Sequence, residues 1–395
     1  MPKLTIEQLD LCCKRVFVRA DLNAPLVQGE VSDDTRLRAV LPTLRLALEA
    51  GAAVVLASHL GRPKGKPSPE YSLRPVALRL EALLGRPVEL VPDCVGPETE
   101  ARARALNPGE VLLLENLRFH PEEEANDDGF ARRLGALADC YVNDAFAAAH
   151  RAHASIAAIT KHLQPAAAGL CMRQELAALG RILQAPERPL VAILGGAKVS
   201  DKLALVEHLL ERVDALLVGG GMAFTLLLAL GHAVGRSLVE LDRVATARAA
   251  LEAARRRGTR IALPVDVLVA PGLDSPSGRA VGIREIPADQ MGLDIGPRTV
   301  ASFAAALRGA RTIVWNGPMG VFEKPPFAAG TVAVARAVAE SGAFSVIGGG
   351  DTIAAVAQAG VTDRIGYIST AGGAFLEFLE GRELPGVEAL TEAPA

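Results

Sequence analysis

Aromatic residues are scarce: 4% of the 395-residue sequence, with one Trp and three Tyr. Few rings are therefore available as stacking platforms for nucleobases. An excess of either charge is missing too. Lys and Arg number 42 against 45 Asp and Glu, for a formal net charge of −3 and a pI near 6.2, so no long-range field draws the chain to nucleic acid or to an anionic membrane. Cysteine is sparse and unpatterned. Cys12, Cys13, Cys94, Cys140 and Cys171 are odd in number and show no C-x-x-C spacing, which excludes a disulfide scaffold and predicts reduced thiols, mostly in the core. The opening MPKLTIEQLD has acidic residues and no apolar core segment, so no secretory signal is read there and a cytoplasmic location is expected. Long apolar runs are absent as well. Ala215 to Gly231 carries no charge, but it falls short of the roughly 20 residues that a membrane span needs and is broken by Gly219, Gly220 and Gly221. It reads as a buried strand, a turn and the start of an apolar helix.

What is present points to α/β layers in two domains. The length exceeds what one core usually holds, and the 50% hydrophobic content suits helices packed on buried strands. Short apolar runs alternate with longer amphipathic stretches throughout, the pattern of repeated βα units around a parallel sheet. In the first half the predicted strands are Val16 to Val18, Ala52 to Ala57, Val111 to Leu114 and Cys140 to Val142. Polar groups follow them: Arg19 and Asp21; Ser58 and His59; Glu115, Asn116 and Arg118; Asn143 and Asp144. The runs of the second half are Leu190 to Leu194, Ala215 to Val218, Ile261 to Leu263, Thr312 to Trp315 and Phe344 to Ile347. Four of these five end in glycine-containing turns, and the other ends in Pro264 and Asp266. Ligands of open α/β sheets sit outside the carboxyl ends of the strands. A cationic set of strand ends suits a small polyanion, whereas glycine turns let backbone amides approach phosphates or a flat base. Met172 to Leu183 has apolar residues at helical spacing before Pro186 and Pro189 and predicts a connecting helix.

The motifs in order are more specific. Arg19-Ala20-Asp21-Leu22-Asn23-Ala24-Pro25, SHLGRP (58–63), ENLRF (115–119), DAF (144–146), HRAH (150–153), GGAKVSDK (195–202), GGGMAFT (219–225), LPVD (263–266), MGLDIGP (291–297), WNGPMGVFE (315–323) and GGGDT (348–352) together resemble the phosphoglycerate kinase family along essentially the whole chain. The resemblance implies two Rossmann-like parallel-sheet lobes, each three-layered αβα. Their expected bounds are 1–171 for the acidic-substrate domain, 172–184 for the hinge helix, 185–376 for the nucleotide domain and 377–395 for a segment returning to the first lobe. It also implies reversible transfer between 1,3-bisphosphoglycerate plus ADP and 3-phosphoglycerate plus ATP, with Mg²⁺ accompanying the nucleotide. The expected partners are these small molecules alone, with no nucleic acid and no membrane, and the expected state is a monomer.

The same resemblance assigns residues. Asp21, Asn23, Arg36, His59, Arg62, Arg118 and Arg151 bind the acidic substrate, planar guanidinium groups being suited to bidentate recognition of phosphate and carboxylate. Arg36, Lys198, Lys202, Gly350 and Gly373 act on the phosphoryl group in flight, Arg36 in the manner of an arginine finger. Gly195, Ala197, Lys202, Gly219, Gly220, Gly292, Leu293, Asn316, Pro318, Val321, Glu323, Gly349, Gly350, Asp351 and Thr352 form the nucleotide site, with Asp351 the metal-side ligand and Glu323 the ribose contact. Lys198 and Lys202, four apart, would face one way on a helix opening after the glycines. No G-x-x-x-x-G-K-[ST] occurs, which sets P-loop NTPases aside. A Rossmann dehydrogenase would need G-x-G-x-x-G opening a helix after an early strand, which is missing, and a binding protein that merely closes on an anion would not need the paired lysines. No general base is required. The nucleophile of the reverse reaction is a carboxylate already ionised near neutral pH, so alignment and charge neutralisation after lobe closure carry the in-line transfer. Two departures stand out. Ala147-Ala148 replaces the frequent Gly-Thr, and Ala371-Gly372-Gly373 replaces a triple glycine; Ala371 would disfavour a positive φ.

Overall fold

The computed structural model describes residues 2–394. The chain forms two compact units, Met1–Ala177 with Glu383–Ala395, and Ala178–Arg382. The first boundary falls inside the helix Leu170–Leu183. Residues 377–382, expected in the returning segment, group with the second unit: the helix Gly373–Leu379 packs on the helix Leu203–Leu210.

The first unit is built on a six-stranded parallel sheet in the order Val88–Leu90, Val111–Leu113, Ala53–Ala57, Arg15–Arg19, Cys140–Asn143, Ala166–Ala168. Arg15–Arg19 lies at the centre, with Phe17 opposite Val55 on one side and Tyr141 on the other. Ala53–Ala57 is buried at all five positions, as expected of a strand covered on both faces. The helix Thr35–Glu49 covers one face through Leu37, Val40, Leu41, Leu44 and Leu48. That spacing is one helical stripe, and each fully buried leucine stabilises by about 1.5–3 kcal/mol. The C-terminal segment closes the unit. Leu4 N donates to Thr391 O at 2.8 Å, Thr391 N to Ala166 O at 2.9 Å, and Gly386 N to Ala149 O at 2.8 Å.

In the second unit the parallel sheet runs Arg260–Ala262, Ala215–Val218, Leu190–Leu194, Thr312–Asn316, Phe344–Gly348, Tyr367–Ser369. Chain order reverses between Leu190–Leu194 and Thr312–Asn316, so the crevice outside their carboxyl ends is the topological switch point. Trp315, fully buried, anchors this core and donates from Nε1 to Gly317 O at 2.8 Å. A separate antiparallel sheet, Arg279–Gly282, Asp266–Ala270, Met291–Ile295, sits in the same unit.

All nine strands expected from the sequence form, their ends moved by at most one residue. The strands it passed over are short edges, Val88–Leu90, Ala166–Ala168 and Tyr367–Ser369, a small hairpin (Leu26–Val27 with Glu30–Val31) and the antiparallel sheet. Their apolar runs are too brief, or too interrupted by Gly and Asp, to stand out. The connecting helix begins at Leu170, ahead of the expected Met172, because Leu170 N finds Thr43 Oγ1 and Met172 N finds Asp144 Oδ1, each at 3.0 Å. The thiols are less internal than expected: Cys94 and Cys140 are buried, but Cys12 and Cys13 are exposed. Among the described residues no helix is long and apolar enough to cross a membrane.

Candidate active site

In the first unit, parallel pairing sets the ends of four strands side by side, and their polar tails converge. Arg19, the last residue of the central strand, is fully buried. Its Nε donates to Ser155 Oγ at 2.9 Å, and Ser155 Oγ donates to the buried Glu123 Oε1 at 2.6 Å. Arg19 Nη2 lies 3.2 Å from His59 Nδ1. A guanidinium can only donate, so Nδ1 accepts and the neutral ring keeps its proton on Nε2. Burial, reinforced by Arg19, Arg118 and Arg151, drives the His59 imidazole well below its usual range. His153 is pushed down to about 3 by burial and then by Arg118, Arg19 and Arg151. Arg118 falls to about 10 through burial and the Arg151 charge. These groups therefore repel one another in a confined space, and an anion entering among them would relieve all of them.

Several donors are already fixed. Arg118 Nη1 donates to Gly61 O at 2.8 Å and Nε lies 3.2 Å from Glu124 Oε1, while Nη2 is buried with no hydrogen-bond partner. A buried unmet guanidinium donor is costly unless a ligand satisfies it. Asn116 holds the turn open from below, its Nδ2 donating to Leu60 O at 2.8 Å and Tyr71 O at 2.9 Å. Asn23 Oδ1 accepts from Gly61 N at 2.8 Å, and Asp21 Oδ2 accepts from Arg36 Nη1 at 2.5 Å at the start of the helix Thr35–Glu49. Arg151 Nε contacts His150 Nε2 at 3.1 Å, and Arg62 is exposed directly after Gly61. The structure thus gathers His59, Arg118 and Arg151, and ties Asn23 to their rim through Gly61. Ala148 in the first departure is buried with Ala145 and Ile156, where the small apolar side chain fits.

The second unit offers a cavity of about 350 Å³ beside the switch point. Ala197, Gly220, Gly292, Leu293, Pro318, Val321, Glu323 and Asp351 all line it, as do Phe224 and Leu238. Its walls are apolar, with carboxylates from Glu323 and Asp351. Several glycines here leave no room for a side chain, Gly195 and Gly220 among them. A Cβ on Gly195 would stand 2.0 Å from Pro318 O, and one on Gly220, at φ +66°, would stand 2.6 Å from the backbone of Gly196. Gly195, Gly219, Asn316, Gly349, Gly350 and Thr352 are not among the lining residues. Asn316 Nδ2 donates to Gly348 O at 2.7 Å, and Thr352 Oγ1 accepts from Gly317 N at 2.7 Å. These bonds tie the N-terminus of the helix Gly350–Gln358 to the central strand, and Asp351 is exposed in that helix's first turn.

The two lysines do not share a helix face. The chain turns at Gly196 (φ +97°), Ser200–Lys202 is a 3₁₀ turn and the α-helix begins only at Leu203. Lys198 is exposed, whereas Lys202 is buried and donates from Nζ to Gly195 O at 2.6 Å and Asn316 O at 3.1 Å. Ala371 is not among the positive-φ residues; Gly372 takes that conformation at φ +57°, directly before the helix that opens at Gly373. The alanine is therefore unstrained, and its N–H donates to Ser369 Oγ at 3.3 Å.

Beyond the expected set, the structure brings Glu123, His153 and Ser155 to the cluster of the first unit and Asp294 to the cavity of the second. The sequence marks Arg19 only as the polar end of a strand. Its signal was a charge in a position that both neighbouring strands bury. Asp294 lines the cavity and accepts from Gly330 N at 2.6 Å and Ile295 N at 2.9 Å. Burial nevertheless raises its carboxyl to about 7.

A family model described as phosphoglycerate kinase matches residues 6–382. The phosphoglycerate kinase of Moorella thermoacetica is 58% identical over 99% of this chain and 100% of its own, and that of Acidobacterium capsulatum is 55% identical over the same shares. Among solved structures, the phosphoglycerate kinase of Coxiella burnetii superimposes with a TM-score of 0.93 at 44% identity, and that of Pyrococcus horikoshii with 0.84 at 38%, each over 98% of both chains.

Proposed function

The chain belongs to the phosphoglycerate kinase family, and from that premise we propose how its residues divide the work of the reaction. The reaction interconverts 1,3-bisphosphoglycerate plus ADP with 3-phosphoglycerate plus ATP, and enzymes of this family use the adenine nucleotide generally with Mg²⁺. In this reading the first unit holds the acidic substrate. The observation that carries it is the buried, partnerless Nη2 of Arg118 inside a cluster of mutually repelling cations. His59, Arg62, Arg118 and Arg151 take the distal phosphate, His59 as a neutral Nε2–H donor held in that tautomer by Arg19. Asp21 and Asn23 orient the hydroxyl and carboxyl end, and Arg36 exchanges its partner Asp21 for the phosphoryl oxygens.

The cavity of the second unit takes the nucleotide, the base against Gly220, Leu293 and Val321 and the ribose against Glu323. The exposed carboxylate of Asp351 is a hard oxygen donor, which fits Mg²⁺ shared with the nucleotide phosphates. The ion supplies charge neutralisation. Lys202, the amides of Gly350 and Gly373, and Lys198 complete the positive field around the phosphoryl group. No side chain has to remove a proton. A monomer in the cytoplasm completes the proposal.

A coupled assay with 3-phosphoglycerate, ATP and Mg²⁺ tests the whole. Asp351→Ala should raise the KM for Mg-nucleotide by about tenfold or more while leaving that for 3-phosphoglycerate unchanged, since one direct ligand in a charged contact is worth about 1.5–3 kcal/mol. An unaltered metal dependence removes Asp351 from the site.

A further inference from the structure

The loop after the edge strand Val88–Leu90 and the segment just beyond Arg118 bring together three side chains of different ligand chemistry. The carboxylate of Asp93, the thiol of Cys94 and the imidazole of His120 offer ligand atoms that all lie within 4.8 Å of one another. None of them belongs to the subsites described above. We propose that Asp93, Cys94 and His120 form a binding site for a borderline-soft divalent cation, with Zn²⁺ as its preferred ion.

The three groups are already held close to the arrangement they would need. The His120 ring stacks on Phe130, centroids 5.1 Å apart at 28°, and its Nε2 lies 2.7 Å from Asp93 Oδ1. That oxygen also accepts from Cys94 N at 2.6 Å, and Asp93 O accepts from Thr99 Oγ1 at 2.9 Å. The loop is thereby pinned to the helix Pro97–Ala105. Cys94 is buried, and burial with the nearby carboxylates of Asp93 and Glu123 pushes its thiol well above the ordinary value. An environment that resists a bare thiolate welcomes a cation beside it. Four-coordinate Zn²⁺ with bonds of about 2.0–2.3 Å places its ligand atoms roughly 3.5 Å apart. The His120 and Asp93 atoms, now 2.7 Å apart, must therefore open by about 0.8 Å to admit the ion between them, a movement available to the exposed Asp93 side chain.

The chemistry balances without a redox partner. Asp93 supplies an ionised carboxylate, His120 a neutral nitrogen lone pair and Cys94 a thiolate whose proton leaves to solvent, and water fills the fourth position. Binding releases one proton and so tightens as pH rises. Mg²⁺, a hard ion that prefers oxygen, is poorly matched to sulfur and nitrogen. The donor set thus selects an ion different from the one that accompanies the nucleotide.

The test uses the full chain without nucleotide, carrying Cys12→Ser and Cys13→Ser. Those two exposed thiols stand 3.5 Å apart and would bind soft ions themselves. Titration with Co²⁺ should give one ion per chain, a thiolate-to-cobalt charge-transfer band and the intense visible bands of four-coordination. Zn²⁺ should abolish these bands, and excess Mg²⁺ should not. Cys94→Ser should lose the band while Mg-ATP turnover is kept. Asp93→Asn, at an exposed position that leaves the fold intact, should weaken Co²⁺ binding at least about tenfold. The site is overturned if no charge-transfer band appears at millimolar cobalt, if the band survives Cys94→Ser, or if Asp93→Asn binds cobalt as well as its parent; the triad is then an ion pair beside a buried thiol.

Discussion

Replacing Arg118 with methionine removes one charge from the buried cation cluster while keeping a long apolar stem in its place. Arg118 is the largest charge acting on His153 after burial itself, and His153 titrates near 3. For scale, two unit charges about 6 Å apart at an effective dielectric near 20 interact by roughly 2–3 kcal/mol. At 1.36 kcal/mol per pKa unit, Arg118→Met should raise His153 by about one to two units. The sign of the linked stability follows. His153 lies below its unfolded value of 6.5, so the unfolded chain binds more protons between the two values. Stability present above about 6.5 is lost as pH falls through that window toward 3. With His153 raised, the variant loses less on acidification. Substrate affinity moves the other way, because a charge-assisted bond to phosphate is worth about 1.5–3 kcal/mol, or roughly a 10- to 150-fold rise in KM for 3-phosphoglycerate. NMR titration of the histidine rings, denaturant unfolding at mildly acidic and neutral pH, and coupled kinetics read the three effects. An unmoved His153 together with an unchanged KM would refute the anion-site assignment.

Other perturbations separate the remaining roles. Lys202→Ala should lower turnover by on the order of 10³ with far less change in 3-phosphoglycerate binding, because its charge acts on the transferring group; equal losses in rate and binding would count against it. Gly220→Ala forces a side chain into a positive-φ position against the Gly196 backbone, so ATP KM should rise by about tenfold or more while 3-phosphoglycerate KM holds. Equilibrium binding of each ligand checks this. Asp294 is raised from 3.8 to about 7, so the folded chain holds a proton that the unfolded chain has released. Its contribution is complete below 3.8 and is lost as pH rises through about 7. Calorimetry of the wild type should show the thermal midpoint falling over that range, and Asp294→Asn should flatten the slope; a parallel pH profile would show that Asp294 is not the titrating group.

Much of the architecture was legible because its signals are local. A buried parallel strand declares itself as a short aliphatic run, as at Leu190–Leu194, and a covering helix as a stripe such as Leu37, Val40, Leu41, Leu44 and Leu48. The cavity residue Gly220 was likewise marked by a strand end and its glycine turn, whereas Gly292 and Glu323 were assigned through the family resemblance. What a run of three residues at a sheet edge does, as at Ala166–Ala168, depends on a partner strand that the local pattern does not contain. The spacing of Lys198 and Lys202 misled for a related reason. Four residues make one helical face only if the helix has begun, and the turn at Gly196 postpones it.

By itself, then, the sequence determined the alternation of elements, the chemistry carried at each strand end and the family, since all three are written in neighbouring residues. Tertiary structure alone decided which of those ends meet, how strongly their charges oppose one another and where each side chain points. Arg19 reaches Ser155 across 136 residues, and Lys202 reaches Asn316 across 114. Contacts of that span exist only once parallel strands have been laid side by side, and the burial that shifts His59, Arg118 and Asp294 arises in the same step.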